Sequence, residues 1–426
     1  MKEIILKDLD EKIYFDQCEN GLKIYIWVNE KINTFKGALG FKGGAENTTF
    51  TVEDKKITVP YGTAHYLEHI LCKNSDGSSL LGKFNALQSY SNAATYLDKT
   101  IYEFVGTTNL YENLELLLNS IQEKEFVEET FLSERGPILE EASMIKDNVG
   151  RLAYYTLNRE LFFNYPNRIE GVGRVEDINK ITLEDLKDFY NTFYHPENSF
   201  LIVTGKVDPL NVIHFVKENQ KKKQFPKWNA PKFPRYFEPK KVVQTYQEIH
   251  ANIEIPQVHI AVKIPIRSLP KMPIVTLLDI LQLLLVCNFG STSLLKEELL
   301  DKKLIVSLNT SADWERNYII LNVSSRTKYP EEVLPILKEK LKHLEGNLED
   351  VRRKIKSEIA NLVLSFEDPE YVNDLLAYML VKYGKILTNE KEILENIQDA
   401  DIEKVMKKLS MEEMSVLVIY PNKKDD

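Results

Sequence analysis

His65-Tyr66-Leu67-Glu68-His69 sets two imidazoles four residues apart, with a carboxylate directly before the second. On a helix, residues i and i+4 lie one turn apart on the same face, so both rings can reach one ion. Zinc accepts imidazole nitrogen at about 2.0–2.1 Å, and a reactive zinc site takes three protein ligands and keeps a position open for water. Glu68 lies three residues after His65, shares that face, and can take a proton from such a water. The alternative is a polar helix face that happens to carry two of the seven histidines of the chain. Either way the pentad predicts a helix over about 61–73, with Thr63 near its start and stop signals in Asn74–Ser78.

The sequence around this helix alternates between strand and helix patterns. Upstream, Lys12–Cys18 and Leu22–Val28 flank Asn20-Gly21 as a hairpin, and Thr34–Phe41 reads as a further strand before a long polar loop. Downstream, a helix over about Ser79–Gln88 leads to two strands, Ser91–Tyr96 and Thr100–Thr107. Helical patterns follow at Leu110–Gln122, Val127–Lys146, Leu152–Phe163 and Thr182–Thr192, then a buried strand at Ser199–Thr204. Between Lys217 and Lys241 the texture changes: prolines 226, 231, 234 and 239 interrupt a lysine-rich stretch without periodicity, as in an interdomain linker.

Beyond the linker the order of elements recurs. Strands at Val242–Ile249 and Val258–Ile264 precede helices at Pro273–Cys287 and Ser291–Leu300. Strands at Ile305–Thr310 and Tyr318–Ser324 and a helix at Glu331–Leu344 follow, and Ser415–Tyr420 closes the series. The closing segments rhyme, Glu197-Asn198-Ser199-Phe200-Leu201-Ile202-Val203 against Glu412-Glu413-Met414-Ser415-Val416-Leu417-Val418. The expectation is an α+β chain of two similar domains, residues 1–216 and 242–426 joined by the linker 217–241. Each would be a mostly antiparallel sheet with helices packed on one face.

Composition is that of an ordinary globular protein, with 43% hydrophobic and 28% charged residues. A net charge of −9 argues against nucleic acid as a partner. The three cysteines, Cys18, Cys72 and Cys287, are odd in number and far apart, so no disulfide framework is expected. Cys72 lies three residues after His69, but that step turns it well away from both histidines, and a small core residue is expected there. The charged segment Met1–Asp8 does not read as a signal peptide, and no apolar run is expected to span a membrane. A reducing cytoplasm is the expected location.

Two imidazoles and a base leave a third ligand to be found. Ser133-Glu134-Arg135-Gly136-Pro137-Ile138-Leu139-Glu140-Glu141 falls in a helical pattern. Glu134 and Glu141 are seven apart there, nearly two turns, and so share a face, while Glu140 points about 100° away. Two carboxylates on one stripe suit a ligand and a partner that orients it. A solvated acidic surface is the alternative from this segment alone. Pro137 removes a helical hydrogen bond, so a bend or restart between Glu134 and Glu141 is expected. His195, without a partner in spacing and followed by a proline, reads as structural.

These residues carry a resemblance. His65-x-x-Glu68-His69, the inverse of the H-E-x-x-H zinc pattern, followed 72 residues later by Glu141 within Glu134-Arg135-x-x-Ile138-Leu139-x-Glu141, resembles the insulinase/pitrilysin family of zinc peptidases. The chain looks most like the half-length bacterial members similar to mitochondrial processing peptidase subunits. Asn92-Ala93-Ala94-Thr95 with Thr100-x-Tyr102 resembles the substrate-binding edge strand of that family. Phe193-Tyr194-His195-Pro196-Glu197-Asn198 resembles the close of its first domain. The resemblance implies Zn²⁺ held by His65, His69 and Glu141, with Glu68 as general base and Glu134 as the acid behind the ligands. It further implies a peptide seated on the strand bearing Asn92, Ala93 and Ala94, held by main-chain hydrogen bonds.

One part of the family pattern is missing. Active members usually carry an arginine and a tyrosine seven residues apart in the second domain, which stabilise the oxyanion. Here they would fall near Leu299 or Leu300 and near Val306 or Ser307, and neither is present. A misplaced match, with Arg316 near Tyr318 as substitute, is the alternative. The resemblance implies a zinc endopeptidase acting on peptides or on unfolded or precursor segments, leader or bacteriocin-type peptides among them. The chain would be the zinc-bearing subunit of a heterodimer whose homologous partner supplies the Arg/Tyr pair, a homodimer being the other arrangement. A non-catalytic, core-type interaction subunit of the same fold is the rival reading. Direct membrane insertion is not expected.

Overall fold

The computed structural model describes residues 1–7, 9–73 and 78–422. The first half builds strands β1 (Lys2–Leu6), β2 (Glu11–Gln17), β3 (Lys23–Val28), β4 (Phe35–Phe41), β5 (Thr49–Val52), β6 (Lys55–Thr58), β7 (Tyr90–Thr95), β8 (Thr100–Gly106) and β9 (Ser199–Gly205). The second half adds β10 (Tyr246–Ala251), β11 (Gln257–Pro265), β12 (Ser307–Glu315), β13 (Tyr318–Arg326) and β14 (Met414–Pro421). The larger sheet runs β1-β2-β3-β9-β4-β8-β7 and the smaller β10-β14-β11-β13-β12, with β5-β6 a separate hairpin.

The two sheets share a five-strand plan. β3 pairs parallel with β9, which is antiparallel to β4, then β8, then the edge strand β7. β10 pairs parallel with β14, which is antiparallel to β11, then β13, then the edge strand β12. The rhyming segments are therefore β9 and β14, which hold the same place in their sheets. Both are apolar on both faces, as a central strand covered from two sides must be.

The chain divides into two compact units that draw on both sides of the 217–241 stretch. One comprises Met1–Ser143, Ile169–Arg235 and Val363–Asn389. The other comprises Met144–Arg168, Tyr236–Leu362 and Glu390–Asp426. In the first unit the Pro369–Lys382 helix packs on β9 and β4. Its Asp374 and β8 Glu103 both pair with the buried Lys36 ammonium, at 2.8 and 2.9 Å. In the second, the Val149–Leu161 helix packs on β14 and β11. Alternation along the strands separates the faces of this sheet. Val258, Ile260, Val262 and Ile264 join the main core with the Ile274–Phe289 and Pro330–Lys342 helices. Ala261, Leu417 and Ile419 meet the 149–161 segment on the opposite face. The helices on one face are thus supplemented by one helix on the other.

Several expectations need correction. The charged segment Lys2–Leu6 is a strand, because β2 offers it a hairpin partner. The polar loop after β4 contains the β5-β6 hairpin, with Phe50 fully buried. The Pro209–Lys221 helix, capped by the Asp208 side chain, runs into the start of the stretch assigned to the linker. The stop signals expected at 74–77 lie outside the described residues. Finally, Ile274–Asp301 does reach the length and mean hydropathy of a membrane span. Its apolar Ile274–Phe289 part instead lies in the core of the second unit, and the 290–293 turn separates it from the Leu294–Asp301 helix.

Candidate active site

The helix carrying the pentad spans Thr63–Leu71 and is almost wholly buried. It starts at Gly62, which has φ +91; a Cβ there would sit 2.4 Å from the Val172 carbonyl oxygen, so only glycine fits the entry. Tyr66 and Leu67 face the core, and the Tyr66 hydroxyl donates to the Phe131 carbonyl on the Glu128–Met144 helix. That bond ties the histidine helix to the helix of the carboxylates. The second helix is continuous through Gly136 and Pro137, both exposed. The helix therefore does not restart between Glu134 and Glu141. Glu134 and Ile138 lie on the buried side, Glu141 at its margin, and Glu140 in solvent.

His65, His69 and Glu141 bring one donor atom each to within 4.8 Å of one another. Glu141 Oε2 lies 3.5 Å from His65 Nε2 and 3.5 Å from His69 Nε2. A tetrahedral site with bonds of about 2.0–2.1 Å spaces its ligand atoms about 3.4 Å apart, so this donor set fits a zinc ion. Two nitrogens and one oxygen leave a fourth position for water or substrate, as reactive sites require. Cys72 is outside the set, and burial pushes its thiol up to about 12.

The surrounding groups orient the donors. Glu134 Oε2 lies 3.3 Å from His69 Nδ1, and its other oxygen pairs with Lys73 Nζ at 3.1 Å. A carboxylate on the far ring nitrogen fixes the tautomer that presents Nε2 to a metal. Burial works against charge on His69, but Glu141, Glu68 and Glu134 outweigh it and leave the imidazole more basic than usual. Glu68 is buried, and that burial raises its carboxyl above the ordinary range, opposed by a hydrogen bond from Thr95 and the charge on His69. A base whose affinity for a proton is raised in this way is suited to accept one near neutral pH.

The histidine helix packs against β7, the open edge of the larger sheet. Asn92 is exposed there and Ala93 and Ala94 are partly buried. Tyr96 N–H donates back to Lys99 O at 2.8 Å. By the alternation of an antiparallel pair, the main-chain groups of Thr95, Ala93 and Ser91 then face away from β8, toward the open edge. The residue that motif reading passed over is Thr95. Its Oγ1 donates to Glu68 Oε2 at 2.6 Å. Its place at the end of a strand motif gave no sign of the helix it meets.

Arg316 and Tyr318, the alternative pair, are engaged within the second unit. Arg316 lies over the rings of Tyr236 and Tyr165, at 5.3 and 5.6 Å, and the buried Tyr318 hydroxyl donates to the Glu238 carbonyl. His195 is likewise structural. Its Nδ1 accepts from Glu197 N–H, its Nε2 bonds Pro226 O, and its ring stacks on Trp228.

Comparison with known proteins adds a second line of observation. Residues 54–168 match the family model for insulinase (peptidase family M16), and residues 180–377 match the model for the peptidase M16 inactive domain. An uncharacterized zinc protease of Bacillus subtilis, YmfH, is 28% identical over 99% of both chains. A probable β subunit of mitochondrial-processing peptidase from Arabidopsis thaliana is 26% identical over 37% of this chain and 30% of its own. In fold, the chain is similar to an M16-like peptidase from Alicyclobacillus acidocaldarius, with a TM-score of 0.89 and 22% identity, covering 98% of this chain and all of that one.

Proposed function

The chain belongs to the insulinase (M16) family of zinc peptidases, and on that premise we propose that it hydrolyses peptides or unfolded precursor segments as the zinc-bearing subunit of a heterodimer. The observation that carries the reading is Glu141 Oε2 standing 3.5 Å from both His65 Nε2 and His69 Nε2, with the buried Glu68 beside them. Zinc, when bound there, supplies Lewis acidity toward the scissile carbonyl and lowers the pKa of water.

The residues of the chain do the rest. Glu134 holds the His69 ring, and Lys73 holds Glu134. Glu68 accepts the proton of the attacking water and returns it to the departing amine. β7 offers unpaired main-chain groups at Ala93 and Ser91, to which an extended peptide adds as a further strand. Such recognition reads the backbone more than the side chains, which suits varied or unfolded segments, leader and bacteriocin-type precursors included. Three unpaired cysteines accord with a reducing, cytoplasmic setting.

What the second half lacks supports the heterodimer reading. Leu299 is buried, Leu300 and Val306 are aliphatic, and Ser307 offers one neutral hydroxyl where the family pattern has an arginine and a tyrosine. A homologous subunit bearing an arginine and a tyrosine would supply it, and the likeness to a processing-peptidase subunit supports that arrangement. The test is cleavage of a quenched peptide library by the zinc-loaded chain, alone and mixed with a homologue that carries the pair. Turnover that rises by a hundredfold or more on mixing, about the value of one oxyanion donor, is the expected result. Full turnover by the chain alone would overturn the divided site.

A further inference from the structure

We propose that Thr95 is a positioning residue for the general base, so that the strand edge that seats the peptide also sets the Glu68 carboxylate. This rests on the peptidase reading above and assigns a role to a residue outside the metal set. Thr95 is the last residue of β7. Its hydroxyl donates to Glu68 Oε2 at 2.6 Å. Glu68 is thus held by a donor from a different element than its own helix.

The register makes that grip consequential. Thr95 stands in the outward-facing register at the open edge, and its hydroxyl is taken by Glu68. Ala93, two residues back, is the neighbouring outward position for a peptide. One dipeptide of extended strand, about 6.6–6.8 Å, then separates the anchor of the substrate from the anchor of the base. A peptide that pairs at Ala93 is placed at a fixed offset from the carboxylate that deprotonates its attacking water. Without the hydroxyl, the carboxylate is free to turn about its own side-chain torsions. A base that drifts from hydrogen-bond reach of its proton loses rate rather than substrate affinity.

The bond could instead be a staple between helix and strand, and the experiment separates the two roles. Thr95→Val removes the donor and keeps the shape; Thr95→Ser keeps the donor and removes the methyl. Each is compared with the wild-type chain, zinc-loaded and assembled with its partner if turnover requires it. Zinc content, melting temperature, kcat and KM are measured, together with binding of a peptide hydroxamate, whose hydroxyl proton is also received by Glu68. The positioning role predicts that Thr95→Val keeps its zinc and its KM within about twofold. It predicts that kcat and hydroxamate affinity fall about 10- to 100-fold, the worth of a hydrogen bond to a charged group, and that Thr95→Ser restores both. Unchanged kcat and hydroxamate binding in Thr95→Val, or equal losses in both variants that follow melting temperature or zinc content, would overturn it. A wild-type chain that binds neither zinc nor the hydroxamate would instead remove the peptidase reading, and this proposal with it.

Discussion

The helix that follows β4 and the helix that follows β11 hold the same topological place, each leading into the edge strand of its sheet, and they are built of opposite materials. In the first, Thr63–Leu71 buries His65 and Glu68. In the second, Ile274–Phe289 buries Leu277, Leu281, Leu284 and Leu285 against the sheet. Even the link to the edge strand has its counterpart. Gln282 Oε1 accepts from Ala312 N–H of β12 at 2.9 Å, where Glu68 accepts from Thr95 of β7. A neutral amide is enough to fasten a helix to a strand. Burying a carboxylate for the same task costs more, and that expense is understandable where the carboxylate has chemistry to do. One scaffold is thus used twice, once for a reactive site and once for a core.

The comparison breaks or sharpens under substitution. The largest effect is expected from His65→Ala, which removes one of the three candidate ligands: zinc measured by elemental analysis should fall well below one ion per chain, with turnover lost. Tight zinc retention would show that the first helix is not the metal helix. In the second unit the buried charges should matter for stability alone. Lys263 Nζ is enclosed by Glu238 Oε1 at 2.7 Å and the Leu161 carbonyl, while Glu238 also accepts from Phe163 and Asn164 N–H. Glu238→Ala should cost about 3–5 kcal/mol in denaturant unfolding, the value of breaking a buried pair, without altering zinc affinity. Glu134→Gln should weaken zinc binding by about 10- to 100-fold in competition with a chelator, as loss of an orienting carboxylate does, and leave unfolding nearly unchanged.

The smallest effect concerns pH. Glu160 is buried in the second unit, accepts from the Ser415 hydroxyl, and is pushed up to about 7 by burial, more than the Ser415 bond lowers it. Its folded pKa exceeds the unfolded value, so the folded state holds the extra proton between the two. Stability is therefore lost as pH rises from the ordinary carboxylate range through 7, on the order of 2–3 kcal/mol in all. Glu160→Gln should flatten that slope and melt above wild type at pH 8. A wild-type chain equally stable at pH 5 and 8, with no gain in the variant, would contradict the assignment.

The sequence made local order legible and long-range pairing illegible. Hydrophobic alternation marked β7, β8 and β11, and helical spacing placed His65 with His69 and Glu134 with Glu141, because these are properties of neighbours along the chain. The Val149–Leu161 and Pro369–Lys382 helices show a buried stripe, but no local pattern says which sheet the stripe meets. Each in fact joins the unit built mainly by the other half. β1 and the β5-β6 hairpin were hidden by lysines and glutamates on their exposed sides. Thr95 was part of a strand motif and unremarkable there, since its partner, Glu68, lies 27 residues away on another element.

The measurement that bears most directly on the first helix as a peptidase centre is a paired assay of the zinc-loaded wild type and Glu68→Gln, both with the proposed partner chain, on a quenched peptide library. The variant should bind zinc in the same ratio and lose turnover by about 10²- to 10⁴-fold, the contribution of a positioned general base. Cleavage by Glu68→Gln at the wild-type rate, with zinc in place, would contradict it.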